Sequence, residues 1–129
     1  MKQYPLSIFI FRRDLRIHDN TALTKAINQS HKILPCFIFD PRQVGTNNEY
    51  RSVNAIQFMI ESLQDLSSAL EKIGGSLCIY YGEPSEILSA LIEKTSAQAV
   101  FVNTDYTPFS MKRDETLKSV CIQHHAIFN

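Results

Sequence analysis

The stretch Phe11-Arg12-Arg13-Asp14-Leu15-Arg16-Ile17-His18-Asp19-Asn20 gathers three arginines and two aspartates within a few residues. Guanidinium forks beside carboxylates can grip an anion or fix the edge of a polar heterocycle; equally, they can pair with one another and brace a loop. Two more groupings have the same potential. Phe39-Asp40 joins a ring to a carboxylate, and Asn103-Thr104-Asp105-Tyr106 joins an amide, a hydroxyl, a carboxylate and a ring. Rings supply stacking surface while polar groups define orientation, a combination suited to a flat polar ligand. Arg12, Arg13, Phe39, Asp40, Asn103, Asp105 and Tyr106 are therefore candidate contacts. Asp14, Arg16 and Asp19 read instead as a brace, with aspartate pairing arginine and Asp19 capping a helix. Asp40, Asn103 and Asp105 stay open between ligand contact and structure.

Other chemistries find no support in the residues. No G-x-G-x-x-G run follows the first apolar segment, and no G-x-x-x-x-G-K-[ST] run occurs, which excludes a P-loop. His18, His31 and the adjacent His124-His125 do not have the spacing of a metal site, and neighbouring helical residues point about 100° apart. No nucleophile, base and orienting acid form a set. Cys36, Cys78 and Cys121 are dispersed, without a C-x-x-C pair, and read as reduced thiols serving as small core residues.

The elements that must position the candidates alternate between strand and helix signals. Leu6 to Phe11 is an apolar run that predicts the first strand, and Asp19 and Asn20 are both N-cap candidates for a helix to about Gln29. Lys32 to Asp40 is nearly all apolar, as in a strand buried on both faces, and Pro41 ends it. Val53, Ile56, Met59, Ile60, Leu63, Leu66 and Leu70 recur at three and four residues, one helical stripe that Gly74-Gly75 stops. Ser76 to Tyr81 predicts strand three, and Gly82-Glu83-Pro84 turns into a helix carrying Ile87, Leu88, Leu91 and Ile92. Ala99 to Asn103 is strand four, Thr107-Pro108 opens a helix to about His124, and His125 to Phe128 begins strand five. Five strands and four helices in alternation predict a doubly wound, three-layer α/β fold, Rossmann-like, with parallel strands ordered 3-2-1-4-5. In that order the carboxyl ends of strands one and four flank the switch point where ligands bind. The arginine loop and Asn103 to Tyr106 lie there, with Phe39-Asp40 beside them.

The 129 residues suffice for one domain with its own core, and 44% hydrophobic against 20% charged residues predicts a folded chain. Thirteen basic residues balance thirteen acidic ones, which argues against a general nucleic-acid sleeve. No apolar run approaches a membrane span and no export signal is evident, so the expectation is a cytoplasmic monomer without membrane contact. Ala126-Ile127-Phe128-Asn129 reads as a core strand near its end, and the expectation is that the chain is part of something larger.

The run FRRDLRIHDNTAL, Phe11 to Leu23, closely resembles the N-terminal signature of the DNA photolyase and cryptochrome family. The resemblance continues through FIFDPRQ (Phe37 to Gln43), Arg51 with the helix SLQDLSSAL, the Gly82-Glu83-Pro84 turn and NTDYTPFSMKRD (Asn103 to Asp114). It spans nearly the whole chain, in order. The resemblance implies that residues 1–129 are an N-terminal α/β domain holding a light-harvesting antenna chromophore. A helical domain outside this chain would bind catalytic FAD and the flipped pyrimidine dimer of damaged DNA, making it the partner in cis. The implied activity of the full protein is that of a deoxyribodipyrimidine photolyase, a light-driven carbon–carbon lyase of DNA repair; this chain alone is not expected to catalyse it. The resemblance further places Asp40, Arg51, Asn103 and Asp105 around the antenna ring, with Phe39 and Tyr106 as walls. Folate-binding members carry a glutamate shortly after the strand-four asparagine, whereas this chain has Asp105-Tyr106-Thr107-Pro108-Phe109. A deazaflavin or flavin is therefore expected ahead of methenyltetrahydrofolate. The alternatives are a cryptochrome, a blue-light photoreceptor without repair, and a free-standing nucleotide-binding α/β module.

Overall fold

The computed structural model describes residues 3–12, 15–40, 53–104 and 108–129. Five strands and four helices alternate: β1 (Tyr4–Phe11), α1 (Thr21–Gln29), β2 (Ser30–Phe39), α2 (Val53–Lys72), β3 (Cys78–Tyr81), α3 (Pro84–Thr95), β4 (Ala99–Phe101), α4 (Pro108–Gln123) and β5 (Ile127–Phe128). All strand pairings are parallel, and the sheet order is β3-β2-β1-β4-β5. The expected topology is thus the observed one. The strand limits differ by a few residues: β1 and β2 each begin two residues earlier than expected, and β3, β4 and β5 are shorter.

Alternation along the strands builds two cores. Ile8, Ile10, Cys36, Ile38, Val100 and Val102 pack with Leu88, Leu91 and Ile92 of α3 and Leu117, Val120 and Cys121 of α4. Phe9, Phe11, Phe37, Ala99 and Phe101 point the other way, against Leu23 and Ala26 of α1 and Met59, Leu63, Leu66 and Leu70 of α2. Because β1 and β2 are covered on both faces, their sequences are near-continuous apolar runs. The two cores differ in kind. The α1/α2 side is aromatic, with Phe9 and Phe11 rings 4.7 Å apart at 69° and Phe37 and Phe39 rings 4.9 Å apart at 78°. Such edge contacts add about 1 kcal/mol each to the burial of the rings.

Local signals set most helix ends. Asn20, not Asp19, caps α1: its side-chain oxygen accepts from the Leu23 amide at 3.1 Å. Asp19 takes up a left-handed conformation, φ 52°, and only its carbonyl is engaged, accepting from Arg16. Helix α2 ends where expected, with the Gly75 amide donating to the Leu70 carbonyl at 2.8 Å after Gly74 at φ +85°. Glu83 caps α3, accepting from the Glu86 amide at 3.0 Å, with Pro84 in the first turn. Within α2, Met59, Leu63, Leu66 and Leu70 are buried as the stripe requires, but Ile60 is 41% exposed. The side chains of Val53 and Ile56, and Thr107 ahead of α4, lie outside what is described.

Candidate functional site

The crossovers through α1 and α2 lie on one face of the sheet and those through α3 and α4 on the other, so β1 and β4 are neighbours whose chains depart in opposite directions. This is the switch point, and a connected polar network spans it. The Arg12 guanidinium, at the end of β1, donates to the Asn103 main-chain carbonyl at 3.1 Å and forms a two-pronged ion pair with Asp114 of α4. The Asn103 side chain bonds in two directions. Its oxygen accepts from the Ala22 amide at 3.0 Å, and its nitrogen donates to the Asn20 side-chain oxygen at 2.7 Å. Asn20, only 2% exposed, in turn donates to the Arg16 carbonyl at 3.0 Å.

Strand one, strand four, α1, α4 and the intervening arginine loop are thereby joined through side chains. Buried polar groups are tolerated when each has partners, and an Arg–carboxylate fork is the stronger kind of hydrogen bond. Arg12 and Asp114 are largely shielded, at 11% and 18% side-chain exposure. Arg12 pairs with Asp114, distant in sequence; Asp14, the nearby carboxylate available to Arg12, Arg13 or Arg16, lies outside the described residues. Arg16 does serve the loop, donating to the Asp19 carbonyl.

The β2 end of the same sheet edge is built differently. Asp40 follows β2 and is 1% exposed. Phe39 is partly buried and faces the α1/α2 side, where it lines a cleft of about 260 Å³ with Ile60, Leu63, Gln64 and Ile79. The cleft is almost wholly apolar because α2 reaches over β2 but leaves the edge strand β3 partly bare: Ile79 is 50% and Tyr81 68% exposed. Gly82 secures the adjacent turn, its amide donating to the Phe39 carbonyl at 2.9 Å. It does so at φ +154°, where a Cβ would meet Ile87 Cδ1 at 3.0 Å, so glycine fits both the angle and the space.

A second concavity, about 330 Å³, lies beside α1 and β4, lined by Thr21, Ala22, Lys25, Phe101, Val102, Asn103, Thr104 and Asn129. Its cation is engaged, since Lys25 Nζ donates to the Asn129 side chain at 3.3 Å.

Of the candidate contacts, the structure joins Arg12 to Asn103 directly; Phe39 lines the cleft on the α1/α2 face, while Asp40, the next residue, is buried and not part of that lining. Arg13, Arg51, Asp105 and Tyr106 lie outside the described residues. Asp114, Asn20, Ile60 and Ile79 were not singled out from sequence as site residues. Asp114 and Asn20 act through partners 102 and 83 residues away, pairings that local spacing does not encode. Ile60 was masked by the stripe itself, which gave it a core role.

Elsewhere, Ser89 Oγ and His124 Nε2 are 2.8 Å apart, tying α3 to the end of α4. Cys36 and Cys78 are register partners on adjacent strands, and all three cysteines are free. Burial, and secondarily the neighbouring Cys78, pushes the Cys36 thiol up to about 12; burial alone pushes Cys121 up to about 11. Among the described residues no group of His, Cys, Asp or Glu is arranged to hold a metal, and no helix is long and apolar enough to cross a membrane.

The sequence profile of the family described as DNA photolyase matches residues 7–128. The chain belongs to the DNA photolyase and cryptochrome family, as its N-terminal domain. Among curated relatives it is 33% identical over 119 residues to a (6-4) DNA photolyase of Arabidopsis thaliana, covering 87% of this chain and 21% of that protein. It is 34% identical over 121 residues to Cryptochrome-1 of Drosophila melanogaster, covering 89% and 22%. The chain therefore spans about a fifth of the length of these relatives. Among solved structures, an archaeal photolyase from Sulfolobus tokodaii, described with two FAD molecules and a novel light-harvesting cofactor, superposes with a TM-score of 0.87. It shares 45% identity over 95% of this chain and 28% of its own. A class III photolyase from Agrobacterium tumefaciens gives a TM-score of 0.83 at 31% identity, over 99% of this chain and 26% of its own.

Proposed function

We propose that this chain is the antenna domain of a photolyase, binding a light-harvesting chromophore at the carboxyl edge of its sheet and holding it for energy transfer. The observation that carries this reading is the open apolar cleft beside Phe39 at the carboxyl edge of the sheet. A tricyclic ring needs an apolar slot for its faces and a few fixed polar groups for its edge. Phe39, Ile60, Leu63 and Ile79 offer the slot, and Asp40, Arg12, Arg13, Arg51, Asn103, Asp105 and Tyr106 are proposed as the polar and aromatic shell around it. These residues fit a deazaflavin or flavin. The Sulfolobus relative, with its two FAD molecules, supports a flavin; folate ranks second, since no glutamate stands between Asn103 and Phe109. When bound, the chromophore would supply absorption of near-ultraviolet or blue light, while the chain supplies orientation and exclusion of water.

The full protein is proposed to carry FAD and the damaged-DNA pocket in a helical domain outside residues 1–129, and to cleave pyrimidine dimers in light. The 45% identity to an archaeal photolyase favours repair. Cryptochrome signalling is the second reading, favoured by the 34% identity to Cryptochrome-1 of Drosophila, level with the 33% to the Arabidopsis (6-4) photolyase. The test of the antenna reading is titration of the chain with FMN, FAD, a deazaflavin and methenyltetrahydrofolate, followed by fluorescence. Micromolar binding of a flavin or deazaflavin, weaker for folate, is expected; no binding by any of them overturns the reading.

A further inference from the structure

We infer that Asp114 is a positioning residue for the antenna site, acting through Arg12 and Asn103. The inference rests on the antenna reading above and adds to it a residue of α4 that approaches the site only through partners.

Arg12 directly follows β1, and the next residue, Arg13, is a candidate ligand contact; Asn103 follows β4, two residues before the candidate Asp105. Both candidate segments therefore leave from anchored residues. Asp114 holds the Arg12 guanidinium in a fork, and that guanidinium also grips the Asn103 main-chain carbonyl at 3.1 Å. The Asn103 side chain is fixed from its other side by Ala22 and Asn20. A fork with two N–H···O contacts sets the direction of the guanidinium as well as its distance. Without the carboxylate, the Arg12 guanidinium loses the two contacts that set its direction, and its grip on the Asn103 carbonyl is no longer oriented from α4. Neighbouring Glu115 is exposed, and no bond from its side chain to the network is seen, so it provides a control on the same helix turn.

The experiment compares the full chain with Asp114→Asn and Glu115→Gln, using FMN as probe and reading both affinity and the induced circular dichroism of the bound flavin at saturation. The induced signal reports ring orientation, which a merely looser fold would leave unchanged in the bound fraction. Asp114→Asn is expected to weaken FMN binding ten-fold or more and to change the induced signal, while Glu115→Gln does neither. Wild-type affinity with an unchanged signal in Asp114→Asn overturns the inference and leaves the antenna reading standing. Failure of the wild-type chain to bind overturns both. Should Asp114→Asn not fold, Asp114→Glu keeps the charge on a longer arm; it is expected to fold and show an altered induced signal, and an unaltered one overturns the inference.

Discussion

The two ends of the sheet's carboxyl edge solve opposite problems. At the β1/β4 switch point, Arg12, Asn20, Asn103 and Asp114 are engaged with one another. At the β2/β3 end, Phe39, Ile60 and Ile79 leave apolar surface uncovered around about 260 Å³ of space. The first arrangement fixes the backbone of two strand exits; the second has surface to offer a ring. The topological rule places a ligand near the switch point. Among the described residues the polar groups there are engaged with one another, and the open apolar surface lies at the β2/β3 end.

Removing the hub of the anchored end has the largest expected effect. Asn20→Ala deletes the α1 cap, worth about 1 kcal/mol, and removes the buried acceptor of the Asn103 side-chain nitrogen, worth roughly 2 kcal/mol more. A loss of about 3 kcal/mol in urea unfolding is expected; a loss of a few tenths would mean that the network is ornamental. Next is Gly82→Ala, which forces a side chain into φ +154° beside Ile87 and is expected to cost about 1–2 kcal/mol while shifting the Phe39 turn. At the open end, Ile79→Ser should change stability by less than about 1 kcal/mol, because half of the side chain is already exposed. A large destabilisation there would turn the cleft into ordinary core.

The cysteines give a pH test of the packed interior. Cys36 and Cys121 have thiols raised by burial to about 12 and about 11, from 9.0. Above pH 9 the unfolded chain releases these protons while the folded chain keeps them, so stability is whole below 9 and falls as pH rises towards the folded values. Native-state alkylation at mildly alkaline pH is expected to spare Cys36 and Cys121 and to modify half-buried Cys78 first. Rapid labelling of Cys36 would contradict the two-sided burial of β2.

Much of this was legible in the residues. Apolar runs gave β1 and β2 because strands covered on both faces need no alternation, and Gly74-Gly75 and Gly82-Glu83-Pro84 marked turns through their backbone preferences. The strand order followed from alternation and crossover handedness. The arginine loop was conspicuous, yet its charges did not declare their partners. Arg12 reaches Asp114 and Asn103 reaches Asn20 only after the sheet has formed, and nothing local ties those positions together. Asp19 and Asn20 were equivalent as caps until the loop geometry put Asp19 in a left-handed conformation. Ile60 fitted the apolar stripe, but β3 stops short of covering it, which depends on how far α2 overhangs the sheet edge.

Ligand capture at the Phe39 end of the sheet is the core of the proposed antenna role. FMN titration of Ile60→Ser beside Lys25→Ala tests it most directly, since one variant alters the apolar cleft and the other the polar concavity beside α1. Ile60→Ser is expected to lose at least ten-fold in affinity while Lys25→Ala binds as wild type; loss in Lys25→Ala with wild-type binding in Ile60→Ser would move the ligand from the cleft to the concavity beside α1 and overturn the proposed site.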